Sequence, residues 1–226
     1  GLFFRYFDGF FLYGFLFAFA KENFFTFFDP KHRDTSNRDF DWFESVWARN
    51  VHSYDKPYIG KVFSLSTNLP AFQKRFPDSK ILYMVRDPLN VIPSGLSLVT
   101  GVLDKRFGFW DLDDNIKTKY IKRLYNALLI LLQRFHDDWV NNRIDKSRVM
   151  IVRYDKMMSD FETLMDDIFL FTNHKPSRAL IDEIKNTAEN QRGYKSKHQY
   201  DLNKFGLSEE KIKKDCKKIY ETFLAE

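Results

Sequence analysis

The stretch KILYMVRDPLNVIPSGLSL, from Lys80 to Leu98, is the part of the sequence that decides the expected fold. Its apolar run, residues 81–85, is short, partly β-branched and bounded by charge, which is typical of a buried parallel strand. A helical pattern begins at Pro88, since proline is tolerated in the first turn of a helix, and Asp87 stands where an N-cap belongs. The sequence therefore predicts a strand that leads directly into a helix.

Two polar side chains of this stretch fall beyond the carboxyl end of a strand, where ligands bind in open α/β sheets. Arg86 ends the strand, and Ser94 lies two turns into the helix. Arginine presents a planar fork of donors that suits a phosphate, and the helix dipole adds to the attraction for an anion. We expect an anion site here. The structural alternatives are that Arg86 pairs with Asp87 or Asp155 and that Ser94 is an ordinary helical serine.

The rest of the sequence alternates candidate strands and helices. Further strands are expected at Tyr58–Phe63 and Arg148–Arg153, and the amphipathic pattern that opens at Asp111 to Asp114 predicts a long helix through Asn142. Shorter helices are expected at 41–52, 69–76, 156–171, 177–188 and 208–224, with a basic loop at 190–203. This alternation favours a three-layer α/β/α fold around a parallel sheet.

The first twenty residues, GLFFRYFDGFFLYGFLFAFA, are rich in aromatic side chains. Arg5 and Asp8 interrupt the apolar run, and its longest uncharged part, Gly9 to Ala20, has twelve residues, too few to span a bilayer. No basic segment precedes it, as a signal peptide requires. We therefore expect an aromatic-rich helical cap at 1–57, which would bind the acceptor, and an α/β core at 58–226. Peripheral membrane contact through the aromatic N-terminus stays open.

The charge and cysteine content of the chain indicate which ligands and which location to expect. The chain has 36 Lys and Arg against 31 Asp and Glu, a net charge of +5. This charge is spread along the chain instead of forming a stripe, so we expect a small anionic ligand and no nucleic acid. The single cysteine, Cys216, excludes an internal disulfide and a cysteine-based metal site. No Asn-x-Ser/Thr acceptor is present. Together these features favour a reducing, cytoplasmic location.

Four segments, in order, resemble the PAPS-dependent sulfotransferases, in particular their Golgi-type and bacterial branch. Arg86-Asp87-Pro88 after an apolar strand, with Ser94 eight residues beyond the arginine, is similar to the segment that binds the 3′-phosphate of the nucleotide in that family. The other three matches are FPDSK at 76–80, VRYD at 152–155 and KHQYDL with FGLS at 197–208. The resemblance covers residues 58–226. It implies a P-loop-NTPase-like fold that uses 3′-phosphoadenosine 5′-phosphosulfate (PAPS).

The resemblance also implies roles for single residues. Arg86 and Ser94 would hold the 3′-phosphate, and Lys61 would be the catalytic cation that stabilises charge on the leaving phosphate and the transferred sulfuryl oxygens. Arg192 and Lys197 resemble the late basic loop that closes over the nucleotide phosphates. The structural alternatives are a solvated loop for these two residues and a surface lysine at position 61.

Two parts of the family's pattern are missing from this sequence. It has no glycine-rich loop with Lys or Arg to cradle the 5′-phosphosulfate, and the resemblance places that loop, with the first strand, upstream of Gly1. Phe63 stands where cytosolic members have a histidine base, which leaves Glu44 and His52 as local candidates for a base. The chain is then expected to carry one half of the nucleotide site.

The sequence as a whole predicts transfer of a sulfuryl group from PAPS to a hydroxyl of a carbohydrate or lipid-like acceptor. One alternative is a truncated or non-catalytic relative that binds a partner. Another is a P-loop-type nucleotide phosphotransferase, for which the sequence shows neither a Walker lysine nor magnesium ligands. If further sequence precedes Gly1, a location on a membrane or in the Golgi lumen is an alternative. The sequence does not indicate an oligomeric state.

Overall fold

The computed structural model of this chain describes residues 9–51, 58–62, 64–192 and 200–225, which are mostly helical around a small sheet. The strands are β1 (Ile81–Val85) and β2 (Val149–Arg153). The α-helices are α1 (Phe10–Phe15), α2 (Phe25–Phe28), α3 (Ser36–Val51), α4 (Leu69–Arg75), α5 (Pro88–Phe107), α6 (Asp114–Val140), α7 (Tyr154–Ser159), α8 (Phe161–Thr172), α9 (Arg178–Arg192), α10 (Glu209–Asp215) and α11 (Lys217–Ile219). A π-helical segment, Tyr220–Leu224, follows α11.

The two strands form a parallel pair in which Val85 lies opposite Arg153. Parallel strands need a crossover connection, and α5 and α6 supply it here. Since the strands run in the same direction, their carboxyl ends meet at one edge of the sheet. That edge is where Arg86 and Tyr154 follow their strands.

Aromatic side chains form the core between the sheet and α6. Tyr83 of β1 stacks on Phe135 of α6, and Phe223 of the π-helical segment lies against both rings. Phe135 is fully buried, and Phe223 is buried as well. Large buried rings contribute strongly to core stability because each removes roughly 150–250 Å² of surface from water. The C-terminal segment is therefore anchored directly beneath the sheet.

The N-terminal aromatic segment packs on the same long helix. Tyr120 donates a hydrogen bond to the carbonyl oxygen of Gly14 at 2.5 Å, and Arg123 donates to the carbonyl oxygens of Ala18 and Ala20. These contacts satisfy backbone groups at the end of a very short helix. The expected boundary at residue 57 lies in the range 52–57, outside the described residues, and stays a prediction.

The sequence predictions of a strand at 81–85, a strand at 148–153 and a long helix before the latter are confirmed. The strand expected at 58–63 is wrong for residues 58–62, which have no regular structure, and Phe63 lies outside the described residues. Ile59 is 94% exposed there, so its apolar side chain has no core face to cover. Lys61 therefore does not end a strand, and the described part of the chain shows two strands in place of a full three-layer sheet.

The expected burial of β1 on both faces is also wrong. Leu82 is 40% exposed and Met84 is 49% exposed, whereas Tyr83 between them packs inward. Successive side chains of a strand point to opposite faces, so one face of β1 is covered by α6 and the other is open. An apolar run predicts that a strand forms, but each face of the strand is buried only if another element packs against that face.

Helix boundaries differ from the expected ones in several places. The single helix expected at 208–224 is divided into α10, α11 and the π-helical segment. The helix expected at 41–52 begins earlier, at Ser36, and position 52 lies outside the described residues. The helix expected after β2 is divided at Asp160 into α7 and α8. Helix α9 continues to Arg192, which therefore belongs to a helix and not to the basic loop. In the parts of the chain that the structure describes, no helix is both long and apolar enough to cross a membrane.

Candidate functional site

The candidate site lies at the edge of the sheet where both strands end. β1 leads through Arg86 and Asp87 into α5, and β2 leads without a loop into α7 at Tyr154. Both connections are very short, so the residues that follow the strands have little freedom to move away from the edge. The site thus combines a strand-end arginine, a helix N-terminus and an aromatic ring.

Arg86 is held against the ring of Tyr154. The carbon atom of its guanidinium group lies 4.3 Å from the centroid of that ring. A cation over an aromatic face at this distance is attracted by the ring quadrupole, with a free energy of about 0.5–2 kcal/mol. The contact fixes the guanidinium group without neutralising its charge.

The carboxylate of Asp87, which follows Arg86 in the chain, binds two other groups. The Oδ1 atom of Asp87 accepts hydrogen bonds from the backbone N–H of Leu89 at 2.8 Å and from the hydroxyl of Tyr220 at 2.5 Å. The first bond makes Asp87 the N-cap of α5, as the sequence predicts. Asp87 therefore does not pair with Arg86.

The second nearby carboxylate is engaged by a different arginine. Asp155 accepts two hydrogen bonds from Arg153, at 3.0 Å and 2.6 Å, and this contact holds the pKa of Asp155 below its usual value. The structural alternative in which Arg86 pairs with Asp87 or Asp155 is therefore wrong. Within the described ranges, the Arg86 guanidinium has no carboxylate partner.

Ser94 lies in the second turn of α5 and is partly buried. Its hydroxyl forms no hydrogen bond with any residue that the structure describes. Pro93 precedes it and has no backbone N–H, so the helix also lacks one backbone hydrogen bond at this point. Ser94 therefore lies on the helix that starts at the site, and its hydroxyl is available to bind a ligand.

Two of the other candidate residues, Lys61 and Arg192, lie elsewhere in the described structure. Lys61 is exposed on the irregular segment 58–62. Arg192 ends α9, is 66% exposed and lies 3.8 Å from Glu162 at the start of α8. Lys197 lies in the range 193–199, outside the described residues, as does His198. The proposed roles of these residues therefore stay predictions.

The structure does not favour Glu44, one of the two candidate bases, in that role. Glu44 on α3 accepts a hydrogen bond from Arg75, which lowers the pKa of Glu44 below its usual value. A general base works best with a pKa near the operating pH, so this contact weakens Glu44 in that role. His52 lies outside the described residues.

An aromatic surface joins α3 to the segment that carries Lys61. The rings of Trp47 and Tyr58 are 4.9 Å apart, and Phe43 lies 5.8 Å from Trp47 between ring centroids. Tyr58 is 44% exposed. Grouped aromatic rings of this kind can bind the face of a sugar or an apolar chain.

Sequence reasoning missed Tyr220, which bonds to Asp87 across 133 positions of the chain. Tyr220 is partly buried, and this burial, followed by the hydrogen bond to Asp87, raises the pKa of Tyr220 above its usual value. Tyr220 stands in an ordinary amphipathic pattern, so no local signal distinguishes it from a core residue.

Comparison with known proteins adds one positive finding. A family model described as "Sulfotransferase family" matches residues 22–175, about two thirds of the chain. The matched range contains both strands, Arg86, Ser94 and Tyr154. Comparisons with curated proteins and with solved structures gave no match.

Proposed function

The chain belongs to the sulfotransferase family, and we propose that it binds the 3′-phosphate of PAPS through Arg86 and Ser94 and transfers the sulfuryl group to an acceptor hydroxyl. The observation that carries this proposal is the state of Arg86. Its charge stands at a strand end, held on Tyr154, while both neighbouring carboxylates bind other groups.

The donors at this edge match a phosphate in type and spacing. A guanidinium group offers parallel N–H donors to two phosphate oxygens, and the hydroxyl of Ser94 can donate to a third. A helix rises about 1.5 Å per residue, so Ser94 lies roughly 9 Å along α5 from Pro88, a distance that one arginine side chain and one phosphate group together span. The N-terminus of α5 adds a favourable dipole.

The residues of this chain fit the 3′-phosphate end of the donor. When bound, PAPS supplies the sulfuryl group, and Arg86 and Ser94 orient the nucleotide. The sequence has no glycine-rich loop for the 5′-phosphosulfate. We propose Lys61 as the cation beside the transferred group, and Arg192 and Lys197 as further phosphate contacts. These assignments rest on the family resemblance of the sequence.

The acceptor is proposed to be a hydroxyl of a carbohydrate or of a lipid-like molecule. The supporting observation is the aromatic surface of Phe43, Trp47 and Tyr58, since Tyr58 lies on the same short segment as Lys61. Aromatic rings stack on the apolar face of a sugar and also cover acyl chains, so the surface favours these two classes over a charged acceptor.

Binding of adenosine 3′,5′-bisphosphate, measured by calorimetry, tests the proposal. We expect the purified chain to bind the bisphosphate at least about tenfold more tightly than 5′-AMP. Arg86→Ala removes at least one charge-assisted hydrogen bond, worth about 1.5–3 kcal/mol, so it should weaken bisphosphate binding at least about 10- to 100-fold. Ser94→Ala removes one hydrogen bond whose donor is neutral, and we expect a loss of about three- to tenfold.

A matched control is Arg178→Ala, which removes the same charge from an exposed position at the start of α9. It should leave both affinities unchanged. Thermal melts of each variant exclude loss of fold as the cause. Equal affinity for the bisphosphate and 5′-AMP, or equal effects of the Arg86 and Arg178 variants, would contradict the proposed 3′-phosphate site.

A further inference from the structure

The C-terminal segment reaches the anion site through the hydroxyl of Tyr220. The hydroxyl of Tyr220 donates to Asp87 at 2.5 Å, while Phe223 and Leu224 of the same segment pack in the core. Tyr220 begins the π-helical segment Tyr220–Leu224. Such segments are rare and often lie at functional sites, because they aim a side chain where a regular helix does not.

The position of Asp87 makes this contact important for the site. Asp87 is the next residue after Arg86, so its negative charge lies close to where the phosphate would bind. A carboxylate at that place can affect an anion in two ways. It can repel the phosphate directly, or it can pair with Arg86 and remove the donors that the phosphate needs.

Two donors hold the Asp87 carboxylate, which forms no ion pair with Arg86 in the described structure. They are the N–H of Leu89 and the hydroxyl of Tyr220, and both bind the same oxygen, Oδ1. The N–H bond belongs to the N-cap and would form in any case. The hydroxyl bond depends on the C-terminal segment and supplies the second restraint.

We propose that Tyr220 is a positioning residue of the anion site, which holds the Asp87 carboxylate away from Arg86 and so keeps the guanidinium group available for a phosphate. This inference rests on the proposed function, because it assumes that Arg86 binds the phosphate. It assigns to the C-terminal segment a part in ligand binding that goes beyond packing.

The surroundings of Tyr220 support a fixed position. Phe223, three residues further on, is buried between the sheet and α6, and Ile219 just before is buried as well. Arg153 also donates to the carbonyl oxygen of Ala225 at 3.4 Å, so the segment touches both strand ends. Since its pKa is raised, the Tyr220 hydroxyl stays protonated and remains a donor across the neutral range.

Four proteins test the inference by bisphosphate titration: the natural chain, Tyr220→Phe, Asp87→Asn and the double variant. Tyr220→Phe keeps the ring and removes the donor, and we expect about five- to twentyfold weaker binding. Asp87→Asn keeps an efficient N-cap but removes the charge, so its binding should equal or exceed that of the natural chain. The double variant should bind like Asp87→Asn alone, since a neutral amide cannot neutralise Arg86.

This rescue separates positioning from a structural role. If Tyr220 only anchored the C-terminal segment, its loss would weaken binding equally in the natural background and in the Asp87→Asn background. Tyr125→Phe is the matched control, because the Tyr125 hydroxyl also donates to a carboxylate, Asp215, at 2.8 Å, and is also buried. It should leave binding unchanged.

The possible failures can be told apart. If Tyr220→Phe binds the bisphosphate as tightly as the natural chain, or if the double variant binds it more weakly than Asp87→Asn, the role of Tyr220 is wrong. The proposed phosphate site at Arg86 is not affected by either result. A natural chain that does not prefer the bisphosphate over 5′-AMP overturns both the site and this inference.

Discussion

Replacement of Arg134 by methionine is expected to destabilise the whole fold, because it leaves a buried carboxylate without its cation. Arg134 of α6 donates to both oxygens of Asp29 at 3.0 Å, and its other terminal nitrogen donates to the carbonyl oxygen of Thr67 at 3.1 Å. The side chain of Asp29 is 4% exposed and that of Arg134 is 14% exposed. The pair joins the N-terminal aromatic segment to the central helix.

The structure sets the size of the effect. In Arg134→Met the Asp29 carboxylate would keep the backbone N–H of Lys31 as its donor, at 3.0 Å, and the His32 imidazole 3.9 Å away, but it would lose its permanently charged partner. Breaking a buried ion pair from one side costs about 3–5 kcal/mol. For a domain of this size each kcal/mol lowers the melting temperature by about 2–4 °C, so we expect a fall of roughly 6–20 °C.

Urea unfolding followed by circular dichroism measures the free energy directly. Asp29→Asn combined with Arg134→Met removes both charges, and it should recover most of the loss because no charge remains buried. The control is Arg75→Met, which breaks an exposed pair with Glu44 on the surface and should leave the midpoint unchanged. A loss below about 1 kcal/mol in Arg134→Met, or a double variant no more stable than the single one, would refute this reasoning.

Two further predictions concern stability. Gly108 follows the last residue of α5 with φ of 64°, and an added Cβ would lie 2.9 Å from Asp111, so Gly108→Ala should lower the free energy of unfolding by about 1–2 kcal/mol. Gly101 lies inside the helix with open space around it, so Gly101→Ala should raise the free energy of unfolding by up to about 1 kcal/mol. Thermal melts that rank the two variants in the opposite order would contradict this prediction. Burial raises the pKa of Cys216 from 9.0 to about 11, so the unfolded thiol ionises first and stability falls as pH rises from about 9 to about 11. Cys216→Ala should show a shallower fall over that window, and the native thiol should react with a disulfide reagent at about pH 8.5 only as fast as the chain unfolds.

The local parts of the fold could be predicted from the sequence. The strand at 81–85, the N-cap at Asp87 and the helix start at Pro88 all appear where the sequence places them. These features depend on residues within a few positions of one another, because apolar runs, capping side chains and proline act on the adjacent backbone. The same segment carries part of the resemblance to sulfotransferases, and the match of the family model confirms that the chain belongs to that family.

The segment at 58–62 shows where local patterns fail. Its residues resemble a strand, but a strand needs a neighbour to bind its N–H and C=O groups and a core to cover its apolar face. In the described structure Tyr58 instead packs on Trp47 of α3, and Ile59 faces solvent. Neither contact is visible in the pattern of the segment itself.

The sequence by itself determined that an arginine would stand at a strand end beside a helix N-terminus, because strand, cap and helix start are encoded by neighbouring residues. The tertiary structure decided whether the charge of that arginine is available. Tyr154 holds Arg86 from the second strand, and Tyr220 engages Asp87 from 133 positions away. Such contacts exist only after the chain has folded, because they join groups that no local rule relates.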